Sequence, residues 1–314
     1  MVNMQNLSKN KILVIGGAGF LGSHLTQSLI RQRYQVVVID LLNNLPEEMR
    51  HSVRFYKLDI ADSKIREVFK KERPKIVYYL TGPINLRRSI DDSLFQKSLD
   101  ILGNLNSVLE CCTQYGAKKI IFFSSGGAIY EKAKIIPTPE NYLIHPTSLY
   151  GLANLIIEKY LKSYYQKYGL NFTILRFSNV YGPRQWGSGI IPSIIAKVLL
   201  NQSPIIYGNG KQIRDFIFVD DAITAALLAI KDNKNQIYNV GSGKEININE
   251  IFNKITKILH KKIEPVYNPS KIDEVERSCL DSTKIKKELE WKPKINIDQG
   301  LKKTIDWFKL KYGK

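Results

Sequence analysis

Three glycines near the start of the chain have the spacing of a phosphate-binding turn. Gly16, Gly19 and Gly22 follow an apolar run over 11–15, which is typical of a buried strand. A helical pattern begins at Phe20, and the first turn of a helix presents free N–H groups and a positive dipole end. Glycines at these places permit a tight turn, close approach of a pyrophosphate and close packing of helix on strand. The segment therefore predicts a dinucleotide site.

An acidic residue at the end of the next strand-like run indicates which dinucleotide is bound. Asp40 lies about twenty residues beyond the glycine turn, where a carboxylate can hold both hydroxyls of an adenosine ribose. The same carboxylate repels a 2′-phosphate, and Leu41, Leu42 and Asn43 include no arginine to receive one. The sequence therefore predicts NAD rather than NADP.

A parallel sheet is needed to bring such strand ends together, and the first half of the chain alternates strand-like and helix-like runs. Further strands are predicted near 53–58, 75–80, 119–124 and 172–177, and helices near 63–71, 92–115 and 149–168. This alternation favours an α/β fold of the Rossmann type, a doubly wound parallel sheet with helices on both faces. Ligands bind beyond the carboxyl ends of the strands in such folds.

Regularity decreases in the second half, where Gly, Pro and Asn become frequent over 181–210. We therefore expect an NAD-binding domain over 1–178, with a return to it around 211–236. A smaller C-terminal α/β lobe for the substrate would comprise 179–210 and 237–314.

The net charge of +18 permits two interpretations. Basic surfaces attract nucleic-acid phosphates, but these lysines are scattered and often lie on helix-like segments, where they form solvated faces. A small acidic ligand such as a nucleotide diphosphate would also gain from a positive field. We therefore expect a small acidic ligand and no nucleic-acid partner.

Composition also bears on compartment. The sequence contains no secretory signal and no apolar run long enough to span a bilayer. Its three cysteines have no metal-ligand spacing. We therefore expect a cytoplasmic protein with reduced thiols, no membrane association and no bound metal.

Ordered motifs along almost the whole chain resemble those of the extended short-chain dehydrogenase/reductase family, in particular its nucleotide-sugar epimerases and dehydratases, of the UDP-glucose 4-epimerase kind. The segment RFSNVYGPRQ over 176–185 is a strong match to the family's crossover into the substrate lobe. The other matching segments are 16–22, 58–60, 124–130, 150–154, 208–215, 218–221, 280–284, 289–293 and 300–307.

The resemblance implies that NAD oxidises the hexose of a nucleotide diphosphate sugar, usually at C4, and that the keto sugar is then reduced again. Tyr150 stands where the family has the base that takes the hydroxyl proton. A free tyrosine has a pKa of about 10 and needs help to ionise, which the family supplies through a lysine four residues later. Asn154 occupies that position here. Its amide can bond to ribose hydroxyls but has no charge.

The family's catalytic Ser or Thr aligns with Gly126. Ser125 and Ser124 precede that position, and either could donate a hydrogen bond to the reacting oxygen. Because strand side chains alternate in direction, the sequence leaves both open. Gly127 and Ala128 stand where 4,6-dehydratases have an Asp-Glu pair, which disfavours dehydration.

The resemblance also implies binding residues. The expected cofactor-binding residues are Gly16, Gly19, Phe20, Leu21, Gly22, Asp40, Asp59, Ile60, Leu80, Thr81, Gly82, Tyr150, Asn154 and Phe177. In the substrate lobe, Asn179 would bond the diphosphate-sugar backbone, and Tyr207 would stack on the base. Arg214 and Arg277 would grip the diphosphate, with Arg184 in the same pocket. A surface ion pair is the alternative for each arginine.

These features together predict an NAD-dependent epimerase of a nucleotide diphosphate sugar, acting in polysaccharide biosynthesis. The resemblance also implies a homodimer, whose interface the helices near 92–115 and 149–168 would form. The departures at Asn154 and Gly126 leave a second hypothesis open, a catalytically impaired protein that binds NAD and the sugar nucleotide. A reductase of a nucleotide-linked 4-keto sugar is a third.

Overall fold

The computed structural model describes residues 10–81, 94–187, 189–270 and 275–312, and the chain divides into two compact units. The first unit extends to Ile129 and also takes Pro146–Arg176 and Ile223–Tyr238. The second takes Tyr130–His145, Phe177–Ala222 and the chain from Asn239 onward. The segment 130–145 and the early part of the predicted return around 211–236 therefore lie in the second unit instead of the first. The predicted boundaries at 178 and 237 each differ by two residues from those of the structure.

The first unit alternates strands and helices from its start. Its elements are β1 (Lys11–Ile15), α1 (Phe20–Arg31), β2 (Gln35–Asp40), α2 (Glu47–Arg50), β3 (Val53–Lys57), α3 (Ile65–Glu72), β4 (Ile76–Tyr79), α4 (Leu94–Gln114), β5 (Lys119–Ser125), α5 (Gly126–Ile129), α6 (Leu149–Tyr168) and β6 (Asn171–Phe177). These bounds confirm the predicted strands and helices of this half to within a few residues.

The remaining elements follow β6. They are β7 (Asn179–Tyr181), α7 (Ile190–Leu199), β8 (Ile205–Tyr207), β9 (Ile213–Phe218), α8 (Val219–Leu228), β10 (Ile237–Val240), β11 (Glu245–Asn247), α9 (Ile248–Leu259), β12 (Val266–Asn268), β13 (Arg277–Ser278), α10 (Thr283–Glu288) and α11 (Ile297–Tyr312).

A seven-stranded sheet has the order β10-β6-β5-β4-β1-β2-β3, and the strands from β5 to β3 pair in parallel. Ile15 pairs with Ile39 of β2 on one side and Tyr79 of β4 on the other. The strand order reverses between β1 and β4, which is the point where such sheets bind ligands. The predicted α/β, Rossmann-type class is confirmed.

Apolar residues of the strands and of α3, α4 and α6 form the core of the first unit. Leu13, Val77, Phe122 and Ile174 are completely or almost completely buried there. Their burial on the sheet faces explains why the strands read as continuous apolar runs. Among the described residues, no helix is both long and apolar enough to cross a membrane.

In the second unit, β9 pairs with β7, β11 and β13, and β8 pairs with β12 in a separate two-stranded sheet. These pairings place 213–218 in this unit. Asn239 explains the placement of 130–145, because it accepts a hydrogen bond from Tyr130 Oη at 3.0 Å and donates one to Thr138 O at 2.9 Å.

A buried acid at the amino-terminal edge of the large sheet predicts sensitivity to low pH. Burial acts to raise the pKa of Glu72, but hydrogen bonds from Lys11, Tyr56 and Arg54 lower it to about 2. A lowered pKa stabilises the fold above the unfolded value of about 4.3, and this contribution is lost as pH falls toward the folded value. We expect Glu72→Gln to flatten the dependence of the urea midpoint on pH in that window. Equal slopes in both proteins would contradict this.

Candidate functional site

The glycine turn after β1 is shaped for close approach from outside. Gly16 has a φ of 84°, a value that favours glycine, and its N–H donates to Ile39 O at 2.8 Å. A Cβ at Gly22 would collide with the Gly16 carbonyl, so α1 packs directly on the turn. A Cβ at Gly19 would meet only the Gly16 oxygen, at 3.6 Å. The backbone is therefore open at Gly19, where a phosphate would approach.

The start of α1 keeps its positive character. Its N-cap residue has no capping side chain, and its first turn contains no acidic residue. The N–H groups of Phe20 and Leu21 at this end can therefore face an anion.

Asp40 is held against the same turn. Its Oδ2 accepts a hydrogen bond from Ala18 N–H at 2.8 Å, and its Oδ1 accepts one from Leu42 N–H at 2.9 Å. The two bonds orient the half-buried carboxylate at the end of β2 and leave each oxygen a further lone pair. This arrangement fits the two hydroxyls of a ribose.

The ends of neighbouring strands complete this rim. Leu80 N–H donates to Ile15 O at 3.0 Å, and a Cβ at Gly16 would stand 3.3 Å from Thr81. Asp59 and Ile60 follow β3, where Asp59 Oδ1 accepts from Ala61 N–H at 2.9 Å. Gly82 lies outside the described residues. The site residues at the ends of β1, β2 and β4 thus lie on adjacent strands.

Tyr150 lies in the first turn of α6. Ser148 caps this helix, accepting a hydrogen bond from Gly151 N–H at 3.0 Å. A Cβ at Gly151 would collide with the Ala128 carbonyl, so the helix start packs directly on α5. Because α5 begins immediately after Ser125, this contact brings the half-buried Tyr150 to the end of β5.

Asn154 lies one turn further along α6 and is 1% exposed. Its Nδ2 donates to Tyr150 O at 2.7 Å, within the helix. This bond engages the amide nitrogen and supplies no charge next to Tyr150. The amide oxygen is the group through which Asn154 could accept from a ribose hydroxyl.

Ser124 and Ser125 have different surroundings. Ser124 is buried and donates to Glu158 Oε1 at 2.7 Å. Arg176 binds the same carboxylate through two bonds of 2.9 and 2.5 Å. Ser125 is half-buried and, as the next strand residue, points to the opposite face. The geometry therefore favours Ser125 as the hydroxyl that a ligand can reach.

The substrate candidates of the second unit lie on several elements. Asn179 is exposed at the start of β7, and Tyr207 ends β8 with 38% exposure. Arg184 is half-buried in the segment after β7, with a φ of 65°. Phe177, which the sequence assigned to the cofactor, is buried at the end of β6. A cavity of about 930 Å³ is lined by Tyr207, Lys132, Tyr267 and Glu276 together with 208–209, 211–212 and 268–270.

Arg214 and Arg277 lie on adjacent strands but differ in their contacts. Arg214 Nη1 donates to Ile213 O at 2.9 Å. Arg277 forms a two-point ion pair with Glu245, at 2.7 and 2.9 Å, and the guanidinium lowers the pKa of Glu245. A diphosphate would have to compete with Glu245 for Arg277.

The model of the NAD dependent epimerase/dehydratase family matches residues 12–241. The chain belongs to the NAD-dependent epimerase/dehydratase family. A Methanocaldococcus jannaschii protein provisionally named UDP-glucose 4-epimerase is 39% identical over 302 residues, which cover 95% of this chain and 98% of that protein.

Two solved structures of UDP-glucose 4-epimerases are similar to this chain over nearly its whole length. The UDP-glucose 4-epimerase of Thermotoga maritima, crystallised with UDP-glucose, has a TM-score of 0.90 and 37% identity, covering 96% of this chain and 99% of that one. The UDP-glucose 4-epimerase of Thermus thermophilus, in complex with NAD, has a TM-score of 0.86 and 30% identity, covering 95% and 99%. The resemblance recognised in the sequence is confirmed.

The structure also reveals a buried ion pair near the candidate site, between Glu158 and Arg176, that the sequence analysis did not predict. Glu158 lies two turns beyond Tyr150 on α6, and Arg176 is the one charged residue in the apolar strand β6. A lone charge in a buried strand is the signal that could have predicted a buried partner. In the described chain, no three His, Cys, Asp or Glu side chains gather into a metal site.

The different surroundings of the two serines give a matched pair of variants. We expect Ser125→Ala to lower kcat by about a hundredfold, since it would remove the hydroxyl that the family resemblance assigns to a hydrogen bond with the reacting oxygen. Ser124→Ala would leave the site intact and lower stability instead, because Glu158 would lose a buried donor. Steady-state kinetics and urea unfolding of both variants test this. A larger kcat defect in Ser124→Ala would reverse the assignment.

Proposed function

We propose that this protein inverts C4 of a UDP-linked hexose, with NAD as its cofactor. The observation that supports this best lies in the first unit, where α6 packs on the segment after Ser125 and brings Tyr150 to the end of β5. The glycine turn and the anchored Asp40 provide a matching cofactor site. The names of the relatives favour UDP as the nucleotide.

In the proposed reaction, Tyr150 takes the proton from the C4 hydroxyl, and Ser125 donates a hydrogen bond to the same oxygen. NAD, when bound, supplies the oxidising equivalent that converts this alcohol into a ketone and the reducing equivalent that restores it. Gly16, Gly19 and Gly22 would hold its pyrophosphate, and Asp40 its adenosine ribose. Tyr150 returns the proton after the keto sugar has rotated in the site and presents its opposite face.

The second unit would bind the nucleotide. Tyr207 offers an aromatic face for the base, and Arg214 and Arg277 offer planar donors for the diphosphate. Asn179 and Arg184 would complete this set.

We also propose a cytoplasmic homodimer that serves polysaccharide biosynthesis. The supporting observation is on α6, where Leu152 and Tyr160 are 44% and 37% exposed. Apolar side chains on an exposed helix face are typical of a surface that another helix covers. Together with α4, this face would form a helical interface between two copies.

Proton NMR of the full chain with NAD and a panel of UDP-, dTDP- and GDP-hexoses tests the proposed reaction. We expect a new anomeric signal with a UDP-hexose, which would identify the reaction and the substrate together. No change in any sugar, despite binding of NAD and one sugar nucleotide, would overturn the proposed catalysis.

The bond from Asn154 to the helix backbone favours one other candidate, a binding protein with impaired catalysis. Asn154→Lys distinguishes the two functions. For a working epimerase with an altered site, we expect this change to lower turnover. It replaces the buried amide of Asn154 by a longer, charged side chain that does not fit the same space. A large gain in turnover from a nearly inactive parent would favour the impaired protein.

A further inference from the structure

The segment between Tyr207 and Arg214 is a tight turn that leaves β8 and enters β9. Gly208 and Gly210 have φ values of 73° and 72°, which favour glycine. Gly208 N–H donates to Asn268 O at 2.8 Å and so ties the start of the turn to β12. Tyr207 and Arg214, which flank the turn, are both assigned to substrate binding. Residues of the turn line the cavity of about 930 Å³.

A side chain from α9 holds the middle of this turn. Asn249 Nδ2 donates to Asn209 O at 3.0 Å, and Asn249 N–H donates to Gly210 O at 3.0 Å. A Cβ at Gly210 would collide with the Asn249 amide. The amide therefore packs directly on the turn as well as bonding to it.

The orientation of that amide depends on a second side chain. Tyr267 Oη donates to Asn249 Oδ1 at 3.1 Å, which directs the amide nitrogen toward Asn209 O. Tyr267 comes from β12, whose parallel pairing with β8 also positions Tyr207 opposite Asn268. One strand thus supports both the aromatic ring and, through Asn249, the turn that follows it.

We propose that Asn249 and Tyr267 are positioning residues for the nucleotide, holding the turn 208–211 in the shape that presents Tyr207 to the base. The proposal rests on the proposed function, which makes Tyr207 the platform for the base. Neither residue acts on the sugar carbon that reacts. Their loss therefore weakens nucleotide binding equally in the ground state and the transition state, which raises KM and leaves kcat unchanged.

Calorimetric titration of UDP into the NAD-loaded full chain tests the proposal. Asn249→Ala removes both side-chain hydrogen bonds, and we expect about tenfold weaker UDP binding. Tyr267→Phe removes the hydroxyl alone, and we expect a loss of about threefold. Asn253→Ala is the matched control, because Asn253 is exposed one turn further along α9. We expect the control to bind UDP as the unchanged chain does.

We call the contacts of the Asn249 side chain with Asn209 and Gly210 the Asn249 clamp. A double-mutant cycle separates the effect of this clamp on UDP binding from the effect of general damage to the turn. Gly210→Ala forces the Asn249 amide aside and also strains the backbone. The strain is present in both backgrounds and cancels in the cycle. We expect Gly210→Ala to weaken UDP binding less in the Asn249→Ala background than in the unchanged chain. Equal losses in both backgrounds would overturn the clamp.

The remaining outcomes are distinct. UDP affinities of Asn249→Ala and Tyr267→Phe equal to that of the control would overturn the positioning role, as would a fall in kcat at constant KM. If Asn249→Ala does not fold, Tyr267→Phe decides, since it removes a single oxygen. If the unchanged chain binds NAD but no UDP, the proposed function fails and this proposal fails with it.

Discussion

Replacing Tyr150 by phenylalanine is expected to lower turnover of the UDP-hexose by about a thousandfold, while NAD still binds. The change removes one oxygen from a half-buried ring and preserves its packing. It also leaves the glycine turn and Asp40 untouched, since both lie on other elements. The change removes the hydroxyl that takes the C4 hydroxyl proton in the proposed reaction.

The measurement has two parts. Anomeric NMR signals give the turnover, and calorimetry gives the affinity for NAD. Tyr165→Phe is the matched control, because Tyr165 lies on the same helix, is 41% exposed and packs against the Phe172 ring. We expect the control to retain full turnover. Unchanged turnover in Tyr150→Phe would exclude Tyr150 as the base.

The tight glycine turn and the place of Asp40 at the end of β2 could be predicted from the sequence because their causes are local. Gly22 must lack a side chain because the carbonyl of Gly16, only six residues earlier in the sequence, occupies the space that a Cβ would need. Asp40 is oriented by Ala18 and Leu42, which are its neighbours in the sequence or across one pair of strands. Short-range sterics and hydrogen bonds of this kind leave a motif that spacing alone reveals.

Features that depend on distant partners could not be predicted in the same way. The alternation of a strand places Ser124 and Ser125 on opposite faces, but only Glu158, 34 residues away, shows which one is engaged in the interior. The placement of 130–145 likewise depends on Asn239, 109 residues beyond Tyr130. Nothing near these residues in the sequence specifies such partners, because the fold brings them together.

The Asn249 clamp shows the same limit from another side. Its partners Asn209 and Tyr267 lie 40 and 18 residues away, on segments joined by the pairing of β8 with β12. Asparagine at the start of a helix is ordinarily explained by capping, and Asn247 has that role here. Asn249 lies two residues later, and its contact with the turn 208–211 could not be predicted because only the folded chain brings the two segments together.

The largest expected effect on stability comes from the pair of Arg176 and Glu158. Both side chains are 2% exposed, and two hydrogen bonds join them, with Ser124 as a third partner. Taking two charges out of water is costly, and their mutual attraction offsets that cost only while both are present. Removing Arg176 leaves the buried charge of Glu158, which the neutral hydroxyl of Ser124 cannot compensate.

We expect Arg176→Met to lower the free energy of unfolding by about 3–5 kcal/mol, which is a large part of the stability of an ordinary domain. The double variant Glu158→Leu with Arg176→Met has no uncompensated charge, and we expect it to recover most of the loss. Urea unfolding of both proteins, followed by circular dichroism, measures the difference. A double variant less stable than Arg176→Met would show that packing, rather than the unpaired charge, causes the loss. Recovery would instead explain why β6 tolerates a charge in its interior. Glu158 on α6 neutralises that charge and joins α6, which carries Tyr150 in its first turn, to the sheet.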